Sequence, residues 1–145
     1  MQAWSTQDDA TSTPVPAPGL RVAPDQRGSG QLQVRLRGEV VTPRLVRTDS
    51  RWSRMRGLLG RASLPASEGL WITPCPSIHM FFMRFAIDAV FLDEQLQVVR
   101  VFEDLRPWRM ARGGRFAHSV LELPQGKAAF FNIRVGDRLQ IGPPA

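Results

Sequence analysis

The amino-acid sequence predicts a mainly β (α+β) domain, either a small barrel or a two-layer β domain, with one short helix near residues 50–59. Many short runs rich in β-branched and aromatic residues are separated by Gly, Pro and Asp, a pattern typical of small β folds. Helical periodicity of apolar residues appears in one segment alone. The chain has 145 residues and a single cysteine, so a packed core rather than an internal disulfide must stabilise the domain.

The chain divides into a tail and one compact domain. Residues 1–30 are rich in Pro, Ser, Thr and Gly and show no apolar periodicity, which predicts a disordered or extended tail. Residues 31–145 form the single predicted domain. It begins with a half-buried strand over 32–36, where leucine and valine alternate with glutamine and arginine. A second short strand is expected to break at Pro43, because proline has no N–H to donate to a sheet.

The predicted helix is defined by its caps and by one apolar face. Asp49 and Ser50 offer N-cap side chains, and Gly60 stands where the helix would end. Between them, apolar residues recur at helical spacing: Trp52, Met55, Leu58 and Leu59. The arginines of this segment, Arg56 among them, are expected on the outer side.

The rest of the domain is predicted to consist of strands, turns and one long loop. Strands are expected over residues 69–72, 78–83, 87–92, 96–102, 118–123, 128–133 and 138–141. Asp93, Glu94 and Gln95 lie between two of them and indicate a hairpin turn. Residues 103–116 contain a proline and a Gly-Gly pair, and they are expected to form a functional loop or a flap because long loops usually have a function.

The positive charge of the chain is almost entirely arginine. The formal charge is +6 and the isoelectric point is about 11.3, with Lys127 as the single lysine. Two arginine clusters are present: Arg44, Arg47, Arg51, Arg54, Arg56 and Arg61, then Arg100, Arg106, Arg109, Arg112 and Arg115. They leave nucleic-acid binding and an ordinary solvated basic face as alternatives. The second is favoured, because an arginine bias also arises from genomic base composition.

Targeting and membrane segments are not evident in the sequence. The amino terminus lacks the charged and apolar regions of a signal peptide, and no apolar run approaches the roughly 20 residues of a membrane span. A cytoplasmic protein without a membrane partner is therefore expected. The sequence leaves the oligomeric state open.

The segment 74–94 concentrates the residues with chemical potential. Its candidates, set in an otherwise apolar run, are Cys75, His79, Met83, Arg84 and Asp88. A strand over 78–83 would be apolar on both faces, which predicts a central strand covered on both sides. Arg84 is expected to pair with Asp88. Glu122 is expected to point inward, toward a backbone group or an arginine.

Catalytic and metal-binding interpretations of these residues have little support. Cys75 is a candidate reactive thiol, but in an extended chain it would lie roughly 13 Å from His79, too far for a catalytic dyad. A small buried apolar residue is the favoured interpretation of Cys75. One cysteine and two histidines lack the paired spacing of a zinc site, and no P-loop pattern is present, so neither a metal nor a cofactor is predicted.

Several motifs, in this order, resemble the family known as domain of unknown function 192. They are RMRGLLGR at 54–61, EGLWI at 68–72, SIHMFFMRFAIDAVFLDE at 77–94, SVLELPQG at 119–126 and VGDRL at 135–139. His79 and Met80 stand where Trp-Met is more usual in that family, and Phe85 and Ala86 replace Asn-Thr. The resemblance covers about residues 31–142. It implies a compact mainly β fold and no particular activity.

The favoured functional hypothesis is a non-catalytic domain that binds a small ligand or a peptide. Its predicted site is formed by His79, Met83, Arg84, Asp88, Arg56 and Glu122, with the loop 103–116 as a rim. An arginine beside apolar walls suits an anionic group on an otherwise apolar partner. Two alternatives remain open: an enzyme that uses Cys75 or His79 as nucleophile or base, and nucleic-acid binding through the arginine clusters.

Overall fold

The computed structural model of the protein describes residues 31–49 and 63–144. Over these residues the fold is mainly β, as the sequence predicts. The predicted tail at 1–30, the predicted helix near 50–59 and Arg56 lie outside the described residues. Among the described elements, no helix has the length and apolar character needed to cross a membrane.

Nine strands and one short helix make up the described part of the chain. In chain order they are β1 (Leu32–Leu36), β2 (Glu39–Thr48), β3 (Glu68–Ile72), β4 (Ser77–His79), β5 (Ile87–Leu92), β6 (Val98–Leu105), β7 (Met110–Arg112), β8 (Ser119–Pro124), α1 (Lys127–Phe130) and β9 (Gln140–Gly142). Seven strands form one sheet in the order β6-β5-β8-β3-β2-β1-β9, and β4 pairs with β7 in a second sheet. All neighbouring strands are antiparallel except β2 and β3.

The large sheet curls into a half-barrel. The start of β6 approaches the chain before β9, where Gln97 forms an isolated bridge with Arg138. The Leu139 N–H also donates to the Leu96 carbonyl at 2.9 Å. The predicted hairpin of β5 and β6 is confirmed at one edge of this sheet. Its turn is held by Asp93, which accepts two backbone N–H groups.

Apolar side chains are buried on both faces of the curled sheet. All six residues of β5 are buried, and they alternate between two apolar clusters. Phe91 belongs to the first cluster, which also packs against β4 and β7, and Val90 belongs to the second. Strand β5 is therefore covered on both faces, and so is β8, which is buried from Ser119 to Leu123.

The strand predicted over 78–83 ends at His79 instead. From Met80 the chain turns, and the Met83 N–H donates to the Met80 carbonyl at 3.3 Å. The prediction of a central strand with residues alternating between two covered faces is wrong here. Ile78 is buried, and among the described strands its segment pairs with β7; the apolar residues beyond His79 belong to a turn.

Three other predictions of local structure are wrong. Residues 128–133 contain helix α1 rather than a strand, and this helix begins after Gly126, whose φ is +87°. β2 runs through Pro43, because a register shift beside it marks a bulge where the missing N–H is tolerated. The single loop predicted at 103–116 is interrupted by the end of β6, which covers 103–105, and by β7, which covers 110–112. Short turns at 106–109 and 113–118 remain, and the first of them adjoins β4.

Candidate functional site

Asp88 is a buried acceptor for two backbone amides. Its side chain has no exposed surface. Oδ1 accepts the N–H of Asp104 at 2.9 Å, and Oδ2 accepts the N–H of Ala128 at 2.8 Å. The carboxylate thereby joins the end of β6 and the start of α1 to β5. The predicted pair with Arg84 is wrong, because both carboxylate oxygens face backbone donors and Arg84 is exposed.

Glu122 and Met83 also lie inside the protein. Glu122 has no exposed surface, and it stands opposite Ala89 on β5 and Leu70 on β3. Its side chain therefore shares the face of the first apolar cluster, in agreement with the predicted inward direction. Met83 is 7% exposed and belongs to the same cluster. A ligand could reach either residue only if this cluster opened.

Cys75 is a buried thiol without a catalytic base. It is 1% exposed, and its Sγ donates to the Ser77 carbonyl at 3.1 Å. Its N–H donates to the His118 carbonyl at 2.8 Å. On β4, Ile78 points into the core while His79 stacks on the exposed Phe81. The burial of Cys75 and its bond to the Ser77 carbonyl support the interpretation of Cys75 as a packed core residue.

Two adjacent β-turns present an exposed aromatic surface, which we term the aromatic tip. It consists of His79, Phe81, Phe82, Trp108 and Met110. In one turn the Met83 N–H donates to the Met80 carbonyl, and in the other the Arg109 N–H donates to the Arg106 carbonyl, both at 3.3 Å. The Met80 carbonyl also accepts the Trp108 N–H at 2.8 Å, so one buried residue holds both turns together.

The rings of the aromatic tip form a continuous row. Ring centroids are 4.8 Å apart for His79 and Phe81, 6.0 Å for Phe81 and Trp108, and 4.9 Å for Trp108 and Phe82. Phe82 is 63% exposed, and Trp108 and Met110 are each 58% exposed. Large apolar side chains grouped at a surface in this way mark an interaction site more often than singly exposed ones do.

The backbone at the aromatic tip is strained at two aromatic residues. Phe82 has φ +65° and Trp108 has φ +68°. Each is the third residue of its turn, where a positive φ normally selects glycine or asparagine. For residues with a Cβ this conformation costs roughly 1–2 kcal/mol. Backbone strain of this kind is concentrated at functional sites, where the side chain is worth the cost.

Arginines surround the aromatic tip. Arg84 follows one turn, Arg109 follows Trp108, and Arg112 lies on the outward face of β7 together with Met110. All three arginines are exposed, and none forms an ion pair with any residue of 31–49 or 63–144. Arg106 differs, because its Nε lies 3.3 Å from Asp104 Oδ2. The surface therefore combines flat apolar rings with three guanidinium groups that lack an internal counterion.

A separate open cleft of about 670 Å³ lies between the β5–β6 turn and the segments 115–118 and 135–136. It contains Glu94 and His118, and a carboxylate oxygen of Glu94 lies 4.0 Å from Nδ1 of His118. None of the residues predicted from the sequence to bind a ligand lines it. Within the part of the chain that the structure describes, no group of three or more His, Cys, Asp or Glu side chains is placed to hold a metal.

The sequence-predicted site is only partly assembled. The structure keeps His79 and Arg84 at the surface and places Met83, Asp88 and Glu122 in the interior. The rings that dominate the surface, at 81, 82 and 108, were not among the predicted site residues. A local signal exists in the Arg-Pro-Trp-Arg sequence at 106–109, since proline favours the second position of a turn and leaves the tryptophan third. The double phenylalanine has no such signal, because it is equally typical of a strand.

A half-barrel sheet and an added two-stranded sheet, with exposed rings in the turns beside the latter, define a mainly β domain. The chain belongs to the DUF192 family, described as Uncharacterized ACR, whose family model matches residues 32–141. It is 34% identical over 110 residues to a UPF0127 protein of Thermococcus sibiricus, an alignment that covers 71% of this chain and 69% of that one. A UPF0127 protein of Pyrococcus furiosus is 41% identical over 64 residues, covering 44% and 54%. The resemblance that the sequence motifs indicate is confirmed.

Two solved structures share the fold. A protein of unknown function from Novosphingobium aromaticivorans aligns with a TM-score of 0.62 at 22% identity, over 76% of this chain and 83% of that one. A Sinorhizobium meliloti protein named as a candidate transcription regulator aligns with a TM-score of 0.64 at 16% identity, over 77% and 92%. At such identities the likeness concerns the fold alone, and the family remains one of unknown function.

Proposed function

We propose that the protein is a non-catalytic binding domain and that the aromatic tip, with Arg84, Arg109 and Arg112, is its binding surface. The observation that carries the proposal is the pair of strained turns. Each holds an aromatic residue at a position that favours glycine, and each ring is more than half exposed. An exposed aromatic residue at a positive φ strains the backbone and adds little to the stability of the fold. Binding of an external partner therefore accounts for these aromatic residues better than packing does.

The chemistry of the surface indicates an anionic partner with apolar or planar groups. Trp, Phe, Met and Arg are the residue types enriched where proteins bind other molecules. Three exposed guanidinium groups without an internal counterion attract carboxylate, sulfonate or phosphate groups. Small anionic ligands and peptides both fit this description. The proposed surface includes His79 and Arg84, two of the residues that the sequence predicted to bind a ligand.

The enzyme alternative has less support. The thiol of Cys75 is buried, so a substrate could not reach it without a rearrangement of the surrounding core. An activated nucleophile donates its proton to a base within hydrogen-bond distance. The Sγ of Cys75 donates to the Ser77 carbonyl instead.

The proposal is tested with 8-anilinonaphthalene-1-sulfonate, an anion with planar apolar rings. We expect the dye to bind the folded protein at one site and to lose at least about tenfold in affinity in Trp108→Gly, since glycine keeps the turn and removes the ring. Arg84→Ala should weaken binding and Arg84→Lys should restore part of it, because lysine keeps the charge without the planar fork. Near-ultraviolet circular dichroism and urea denaturation establish that each variant is folded.

Phe130→Ser is the matched control. Phe130 is 82% exposed, as an aromatic residue of α1 outside the two turns. If the proposal holds, its replacement leaves the dye affinity unchanged. Equal losses in Phe130→Ser and Trp108→Gly would contradict the proposal, as would native affinity in the folded Trp108→Gly and Arg84→Ala variants.

A further inference from the structure

We infer that the occupant of the aromatic tip is single-stranded nucleic acid, whose bases stack on the exposed rings while its phosphates contact the surrounding arginines. The inference rests on the binding surface proposed above and names its partner. Proteins that bind single strands combine rings for stacking with cations that follow the backbone. Here the two kinds of group alternate along both turns, as Phe82 and then Arg84, and as Trp108, Arg109, Met110 and Arg112.

The orientation of the rings supports stacking. His79 and Phe81 are stacked with an angle of 26° between their rings, and Trp108 is tilted by 31° to Phe81 at a centroid distance of 6.0 Å. Phe82 is tilted by 60° to Trp108 and lies at the end of the row. A row of flat, partly exposed surfaces matches a short run of unpaired bases, whereas a peptide presents few flat groups. In a duplex the base faces are covered by their neighbours, and such faces are not available to a protein ring.

The charge of the surface supports phosphate contacts. Arg84, Arg109 and Arg112 have no carboxylate partner within residues 31–49 and 63–144, so no described acid neutralises their charge. Guanidinium groups pair with phosphate oxygens through a planar fork and also stack flat on rings, a combination that the lysine ammonium lacks. An anionic membrane would also attract these charges, but it offers no planar groups that could stack on the exposed Phe82 and Trp108.

The test uses the full-length, nuclease-treated protein and a labelled oligothymidylate of about eight nucleotides, followed by fluorescence anisotropy. Trp108→Gly should weaken binding by about tenfold or more, and Trp108→Phe should keep most of it, because a phenylalanine ring is already accommodated at φ +65° in the neighbouring turn. An oligonucleotide of equal length with sugars and phosphates but no bases should bind at least about tenfold more weakly. The base-free oligonucleotide separates the contribution of base stacking to the affinity from that of the phosphate charge.

Salt dependence tests the phosphate contacts independently. Three arginine contacts to a single strand predict a slope of about −2 for the logarithm of affinity against the logarithm of salt concentration. Arg84→Ala should reduce that slope by about 0.7. Phe130→Ser should leave both the slope and the affinity unchanged.

Several outcomes would overturn the inference, and they are distinguishable from failure of the proposed function. If the naphthalene dye binds as expected but the oligonucleotide does not bind at low salt, the surface is a binding site with a different occupant. Equal affinity for the base-free backbone, or for duplex of the same length, would show attraction by charge alone. Tighter binding to polyglutamate or to vesicles containing phosphatidylserine would assign the surface to an acidic peptide or to a membrane. Loss of both dye and oligonucleotide binding would refute the two proposals together.

Discussion

Replacement of Asp88 provides a quantitative test of how this fold is held together. In Asp88→Ala the amides of Asp104 and Ala128 lose their acceptor, and the second of these bonds is fully buried. A buried donor left without a partner costs about 1–3 kcal/mol, and bonds to a charged group lie toward the upper end. With one buried and one partly buried amide, we expect unfolding free energy to fall by about 3–5 kcal/mol. Asp88→Asn keeps one acceptor oxygen, and we expect a loss of about 2–3 kcal/mol.

Asp93→Ala is the matched control, because the Asp93 carboxylate also accepts two backbone N–H groups but lies in a solvated turn. Its Oδ1 accepts the N–H groups of Gln95 and Gln97, each at 2.9 Å, in the turn of the β5–β6 hairpin. Water can replace the carboxylate there, so we expect a loss of about 1 kcal/mol. The comparison holds the number of bonds and the residue type constant and changes the burial.

Urea denaturation monitored by circular dichroism measures all three variants, and amide hydrogen exchange locates the effect. A stable domain has only about 5–15 kcal/mol of unfolding free energy, so the expected loss in Asp88→Ala is large. In Asp88→Asn, faster exchange should be concentrated at the amides of Asp104 and Ala128. If Asp88→Ala costs no more than Asp93→Ala, or if exchange at these two amides is unchanged, the reasoning about buried acceptors is refuted.

Three further predictions follow from individual residues. In Gly113→Ala the new Cβ would lie 2.4 to 2.6 Å from a neighbouring alanine and a buried phenylalanine ring, so the unfolding free energy should fall by about 1–3 kcal/mol. In Gly114→Ala the new Cβ meets nothing within 4 Å, and the only expected cost is that of an alanine at φ +93°. Equal urea midpoints for the two variants would contradict this prediction. Burial lowers the pKa of Lys127 below its ordinary value of 10.5. Between the lowered pKa and 10.5 the unfolded chain binds more protons than the folded protein, so the unfolding free energy should rise with pH in that window. The chain has no tyrosine, so Cys75→Ala serves as the background in which this rise is measured. Adding Lys127→Met to that background should abolish the rise. Iodoacetamide should label Cys75 only as fast as the protein unfolds, and rapid labelling of the folded protein would restore the enzyme alternative.

The parts of the fold that could be predicted from sequence are those with a local cause. The strand over 32–36 follows from strict alternation, and the β5–β6 hairpin follows from two apolar runs joined by an acidic turn. Strand β8 is recognisable for the same reason. Family membership is recoverable too, because it depends on motifs in order rather than on contacts.

The features that sequence reasoning missed depend on contacts between distant residues. Ala128 is the second residue of a helix in a segment whose composition favours a strand, and the acceptor for its N–H is Asp88, 40 residues away in the chain. The turn after His79 likewise depends on Met80, whose carbonyl accepts donors from both turns and whose side chain is fully buried. Local composition reveals neither of these distant contacts. It therefore predicts that Asp88 pairs with the nearby Arg84, whereas Asp88 accepts the backbone amides of Asp104 and Ala128.

The same contacts explain why the site proposed from the structure differs from the site predicted from the sequence. Carboxylates among apolar residues suggest ligand binding, but Asp88 is fully used by the backbone and Glu122 faces a closed apolar cluster. The exposed surface instead carries hydrophobic residues, which from sequence alone would be assigned to a core. Phe82 and Trp108 are the clearest examples of exposed residues that the sequence would assign to a core, because each has a positive φ and is more than half exposed. Turn geometry alone would favour glycine at both positions, and the proposed contact of a partner with the rings would account for aromatic residues there.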